Sequence, residues 1–485
     1  MLYSAEELKS LIEPILYIDI NKEVYESKVI NPIQFLTHKR FDLAFKLFYL
    51  DERHNNPIYA RYLYEQHIKA FSLGKYTEPG NKEKTSIEDF FFAFDKIFQN
   101  FQEYGFNNTK TLIPISKNKL LGNGAHRVAS AIYLKQNVEC VEIETHDQVY
   151  DYKFFANLGV SENILDSAAL KYIEFSENIY IAFLWPSAVN NRGKVERKIP
   201  NIIYKKKIKL NLDGAHNLLT HIYENEDWLG TLSKNFPGAR VKVMECFKNF
   251  NPLYVYLFQC EKHEEVIEIK QTIRDLYDLG KHSIHITDTK EEVTRLSRYL
   301  FNNNSIHFLN YGKPYINHEF DILLDKFRRS FKNQFDSEKI LLCGESTLSI
   351  YGVYPKMNLN FLSYNNKEDD HRIPNFKESR NSFDKLEIGF NELLFNPRNY
   401  FYYKSFKLLS FENSIRYIEK NKMNRVNLNE IDALFFEVNK QNQVSKYRIK
   451  IYYLRAKLRQ LIVVFLKKIG LARIVKKIMS KLNLL

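Results

Sequence analysis

At 485 residues, with 45% hydrophobic, 27% charged and 15% aromatic side chains, the chain has a globular composition and enough length for more than one core, which excludes wholesale disorder. Its net charge of +13 is localised: no acidic residue follows Glu437, the last 48 residues hold 13 basic ones, and the remainder balances at 58 of each sign. Four scattered cysteines (Cys140, Cys246, Cys260, Cys343) show no CxxC pair, so neither a zinc knuckle nor a disulfide framework is expected. The start lacks the runs of a secretory signal and no run of about 18 apolar residues offers a membrane span, so the expected location is cytoplasmic.

Apolar periodicity predicts helices over 6–18, 41–50, 59–71 and 87–104, the last after a Pro79-Gly80 turn. Strands over 111–115 and 138–144 flank a loop at Gly122 and a helix over 128–135. Little is signalled over 150–205 beyond a buried strand at 179–185. Farther on, strands at 241–247, 253–259, 283–286 and 305–309 are expected to alternate with helices at 266–279 and 290–300, which argues for an α/β domain. A strand at 339–343 then enters a Gly344-Glu345-Ser346 turn and a helix over 347–351. The expected units are 1–150, built round the Gly122 loop with a helical N-terminal part; 151–205, a connecting region; 206–437, an α/β region; and 438–485, a basic helical tail. The class expected is α/β, in the sense of an α+β multidomain chain.

Gly122-Asn123-Gly124-Ala125-His126-Arg127 stands at a helix start. Glycines let the backbone approach an anion, and the helix N-terminus offers free N–H groups and the positive end of its dipole. Arg127 adds a fork suited to phosphate oxygens, with His126 as a further donor. An ordinary Asn-Gly turn is the plain alternative. The surrounding segment 111–144, TLIPISKNKLLGNGAHRVASAIYLKQNVECVEIE, resembles the ParB/sulfiredoxin superfamily, with its strand, D-G-x-H-R type turn, small-residue helix and strand. The resemblance implies a nucleotide, ATP or ADP, held by its phosphates at this turn. Ala125 stands where sulfiredoxins carry the catalytic cysteine, and no helix-turn-helix pattern follows residue 145 as it does in ParB proteins. The branch left is that of the free serine kinases, which implies ATP-dependent transfer to a small hydroxyl-bearing acceptor with a carboxylate as base. The family's aspartate is Asn123 here, so Mg2+ loses an expected ligand at the turn. The upstream run 39–46 offers Asp42 as that base, beside Arg40 and Lys46, with Asp42 expected on a different helix face from Lys46. His126 is the second catalytic candidate.

Segment 340–361, ILLCGESTLSIYGVYPKMNLNF, resembles the nucleotidyltransferase superfamily, in which a strand runs into Gly-Ser, a helix follows, and a D-x-D pair holds magnesium. Gly344 and Ser346 match the turn. Asn358 and Asn360 stand where the aspartates would be, and uncharged amides leave a two-metal site without its main anionic ligands. A degenerate domain is implied. His282 and His285 are expected on one side of a strand, with Asp288 completing a polar cluster at its end, and Asp213-Gly214-Ala215-His216 as a plain turn. In the tail, apolar residues three and four apart interleave with Lys457, Arg459, Lys467, Lys468, Lys476 and Lys477, broken at Gly470. Two such basic amphipathic helices suit an anionic membrane surface; helices packed on the protein with a solvated basic face are the plain alternative. No specific nucleic acid is expected, because the body is neutral. The tail and the run 396–403 resemble, in style, proteins of bacterial capsule and lipopolysaccharide assembly. The expected function is therefore kinase-like phosphotransfer in surface-polysaccharide biosynthesis, peripheral on the inner membrane face. A non-catalytic nucleotide-binding scaffold and a weak nucleotidyltransferase are the alternatives.

Overall fold

The computed structural model describes residues 1–78, 83–188, 190–249, 251–330, 336–353, 359–364, 376–378, 384–421 and seven positions between 454 and 469. Strand β1 (Leu2–Ser4) pairs antiparallel with β2 (Val24–Ile30), and α1 (Ala5–Leu11), opened by a Ser4–Glu7 capping box, lies between them. The single helix expected over 6–18 breaks at Pro14, which has no N–H and holds Glu13 in extended backbone; a 3-10 turn, Pro14–Asp19, follows. Next come α2 (Asp42–Glu52), α3 (Pro57–Phe71), α4 (Ile87–Tyr104), β3 (Ile113–Ile115), α5 (Ala125–Leu134) and β4 (Val138–Glu142). The sheet runs β1-β2-β4-β3, with β3 parallel to β4. A Ser86–Asp89 capping box opens α4, and its spacing buries Phe90, Phe91, Phe94, Phe98 and Phe101 on one stripe, each contributing about 2 kcal/mol of apolar burial.

The stretch 151–205, expected as a connection, is folded. Helices α6 (Tyr152–Asn157) and α7 (Glu162–Phe175) join the first core: Tyr59 Oη lies 2.8 Å from Ser167 Oγ, and Tyr172 Oη donates to the Leu36 carbonyl at 2.7 Å. There follow β5 (Ile179–Leu184), α8 (Arg192–Lys198), β6 (Ile202–Ile208), α9 (Leu212–Ile222), α10 (Pro237–Cys246), β7 (Leu253–Gln259), α11 (His263–Tyr277) and β8 (Ile284–Ile286). All pairings in the order β6-β7-β5-β8 are antiparallel, which is the connectivity of a split β-α-β plait with α9 and α10 inserted between its second and third strands. Period-two alternation along β5 sends Ile181 and Phe183 into the main core and Tyr180, Ala182 and Leu184 into a smaller one shared with Val195 of α8 and Val266 and Ile273 of α11. The strand expected at 241–247 is instead α10: Pro237 opens it, and burial of Ala239, Val243 and Cys246 overrides the β preference of its valines. The turn expected at 213–216 is instead the first turn of α9, because Asn211 caps the Gly214 N–H at 2.7 Å.

The remainder comprises α12 (Lys290–Leu300), α13 (Asn303–Tyr311), α14 (Glu319–Ser330), β9 (Ile340–Cys343), α15 (Glu345–Ile350), β10 (Leu359–Ser363), β11 (Phe376–Glu378), α16 (Phe390–Phe395), β12 (Tyr400–Tyr403), β13 (Phe406–Leu409) and α17 (Phe411–Lys420). The sheet order is β11-β10-β9-β13-β12. The strand expected at 305–309 lies inside α13. Asn302 caps its Ser305 N–H at 2.8 Å and donates to the carbonyls of Pro397 and Tyr400, which pins the helix to β12. The class is mixed α/β, and one apolar cluster runs from Phe35 to Ile418. Among the described residues no helix is long and apolar enough to cross a membrane.

Candidate functional site

After β3 the chain reverses and returns to it: Leu121 bridges Ile115, and the Gly122 N–H donates to the Pro114 carbonyl at 2.9 Å. A Cβ on Gly122 would stand 2.9 Å from the Thr145 methyl and 3.2 Å from the Pro114 oxygen, so this glycine serves the turn's packing on the sheet. Gly124 has φ +85 and is the N-cap of α5 without a side-chain cap, which leaves first-turn N–H groups of α5 at a positive dipole end. The Asn123 amide oxygen accepts the Gly124 N–H at 2.6 Å.

His126 and Arg127 point to different surroundings. The Arg127 guanidinium folds back against Gly124 and inward, where it donates to Thr111 Oγ1, to the Leu112 carbonyl at 3.2 Å and to the Glu13 carboxylate. The fork expected to grip phosphate is thus engaged by the N-terminal segment. His126 Nε2 meets Tyr64 Oη at 2.7 Å and its ring lies 4.6 Å from that of Phe94. Burial first, then the positive charges of Lys46 and Lys84, hold this imidazole well below its ordinary pKa and so neutral.

A buried ion network adjoins the turn. Arg40 grips Asp42 with two hydrogen bonds (2.8 and 2.9 Å) and donates a third to the Leu121 carbonyl at 2.8 Å. Lys46 reaches the same carboxylate at 3.1 Å, so Asp42 and Lys46 share a helix face rather than lying on different ones, as i and i+4 positions do when side chains bend together. Lys46 Nζ also lies 3.1 Å from His67 Nε2; an ammonium can only donate, so that nitrogen accepts and His67 carries its proton on Nδ1. Asp42, Lys46 and His67 are all at most 3% exposed. Burial works to raise the Asp42 pKa, but Arg40 and Lys46 more than reverse it, and the carboxyl is held far below the usual range. Burial lowers Lys46 and His67. A carboxylate so held is a weak base, which counts against the catalytic role expected of Asp42.

Sequence reading missed Glu78 and Lys84. They form an ion pair at 2.5 Å between α3 and α4, with Lys84 over the Phe90 ring; Glu78 acts electrostatically on Lys46, Tyr64 and Arg127, and Lys84 on His126. No motif marks them, because only the packing of α3 and α4 brings their loop to α5. Arg40, Lys46 and Lys84 outnumber Asp42 and Glu78, which biases the place toward an anion. Two open cavities lie away from the turn, one of about 440 Å³ beside Arg295, Arg298 and Tyr402 and one of about 450 Å³ beside Trp185 and Tyr254.

In the second candidate site, Gly344 has φ +62 between β9 and α15, and the Asn360 N–H donates to Ser346 Oγ at 3.1 Å, so turn and facing strand do meet. Asn358 lies outside the described residues, as do Lys457, Arg459, Lys467, Lys476 and Lys477; Lys468 is described, helical and exposed. The expected histidine pair is not assembled. His282 sits in a 3-10 turn near Lys242, whereas His285 on β8 lies 3.3 Å from Glu292 and Asp288 pairs with Lys270 at 3.1 Å. Among the described residues no three of His, Cys, Asp and Glu are grouped to share a metal ion. No family model, curated protein or solved structure matches the chain.

Proposed function

We propose that this chain binds a nucleotide by its phosphates at the Gly122–Arg127 turn and transfers phosphate from ATP to a small hydroxyl-bearing acceptor. The observation that carries the reading is the uncapped N-terminus of α5 set against the Arg40–Asp42–Lys46 network, with a cationic excess beside free backbone donors. Asp42 positions Arg40 and Lys46, and neutral His126 and Tyr64 line the approach. Glu78 takes the acceptor's proton as the acceptor oxygen bonds to the γ-phosphorus and the bond from that phosphorus to the β,γ-bridging oxygen breaks, releasing ADP. The donors present do not make a magnesium site of their own: both Asp42 oxygens are spent on cations, Asn123 is spent on Gly124, and Glu78 is paired with Lys84. Surface-polysaccharide assembly and a peripheral place on the inner membrane face complete the proposal, supported by the 396–403 run and the basic tail.

Calorimetry with ATP, ADP and CTP tests the binding. Wild type is expected to bind at least one, with Lys84→Ala roughly tenfold weaker, the effect of about 1.4 kcal/mol of lost attraction; no heat with any of the three refutes the reading. The alternative, a silent nucleotide-binding scaffold, is favoured by Arg127 being engaged with Glu13. It is distinguished by turnover: a phosphotransferase releases ADP only with acceptor present and loses this in Glu78→Gln while still binding ATP.

A further inference from the structure

Six large apolar side chains near the C-terminus stand in water. Leu454, Leu458, Leu461, Ile462 and Phe465 are helical and Ile469 follows in a turn, at 63, 52, 63, 51, 62 and 47% exposure. At about 100° per residue these positions fall within an arc of about 100°, so they form one uncovered ridge. The body of the protein does not cover it. A second copy is an unfavourable cover, because residues 446–485 carry 12 basic and no acidic side chains and pairing two copies of this segment would bring like charges together. Nucleic acid would satisfy the charge but leave the ridge in water. An anionic lipid surface satisfies both, and the described residues include no helix able to span it.

We infer that this ridge is the face that enters the headgroup and acyl boundary of an anionic phospholipid bilayer, with the basic residues of the same segment held at the phosphate level. The inference rests on the membrane-face reading above and adds that docking is by insertion as well as by charge. Full-length protein is co-sedimented with phosphatidylglycerol-containing vesicles and with pure phosphatidylcholine vesicles, as wild type and as the double variant Leu458→Glu, Phe465→Glu. Wild type is expected to prefer the anionic vesicles and to keep part of its binding in high salt, with the double variant at least about tenfold weaker at an unchanged melting temperature. Equal binding by both proteins overturns the ridge and leaves a purely electrostatic membrane reading; no binding by wild type overturns both. A wild-type dimer in sedimentation velocity that the double variant dissolves assigns the ridge to a second copy instead and also overturns the inference.

Discussion

At the scale of single residues, Asp42 carries the most consequence. It is buried with two cations on one carboxylate, so removing its charge leaves Arg40 and Lys46 uncompensated in the interior. Asp42→Asn should cost about 3–5 kcal/mol in urea unfolding, and adding Lys46→Met should recover part of that loss; additive losses would mean the pair is not coupled. The buried histidines set a pH dependence. His67 and His126 are held well below the ordinary imidazole value and His221 down to about 3, burial being the main cause in each. The unfolded chain takes up protons near pH 6.5 that the folded chain refuses, so stability present above pH 6.5 is lost as pH falls below it, by up to about 1.4 kcal/mol per pH unit for each histidine. Asp166 runs the other way: burial pushes it to about 6, so its contribution is present at low pH and is lost as pH rises through that value. Urea midpoints should therefore drop between pH 7 and 5.5, because the depressed histidines, His307 and His216 among them, outnumber the raised carboxyls Asp166 and Glu174, and His221→Asn should flatten the slope.

At the scale of elements, two positions are decided by what their neighbours allow. Gly124→Ala would place a methyl 2.7 Å from the Arg127 guanidinium at φ +85, so a loss of about 1–3 kcal/mol in thermal unfolding is expected. Helix α13 depends on Asn302 for its cap and for its tie to β12; Asn302→Ala should cost about 1–3 kcal/mol, and Asn302→Asp, which keeps the cap oxygen but turns a buried acceptor on the Pro397 and Tyr400 carbonyls, should cost at least as much. Helices α4 and α12 and strand β7 coincide with the ranges expected for them, because each helix has its own N-cap and the strand is a continuous β-branched and aromatic apolar run. Segments 241–247 and 305–309 are helical rather than the expected strands for one reason: a short apolar run has no period long enough to separate strand from helix, and packing on α9 and β12 made the choice.

At the scale of the whole molecule, the apolar cluster from Phe35 to Ile418 and the buried Lys206–Asp166 pair tie the plait to the helices before it. One cooperative calorimetric transition is expected for residues 1–421, and deleting 446–485 should leave it unmoved while abolishing vesicle binding; two separated transitions would show that the units melt independently.

By itself, the sequence determined the alternation of helix and strand that makes this an α/β protein, the glycine turn at the head of α5 and the concentration of positive charge in the tail. Each is local: a cap, a period or a charge count is written within about 15 residues. Only the tertiary structure decided that Arg127 faces Glu13 and that Glu78 and Lys84 come to the turn, because those approaches join residues far apart in the chain, and that Asp42 is locked between its chain neighbours Arg40 and Lys46, because α2 is buried among its neighbouring helices.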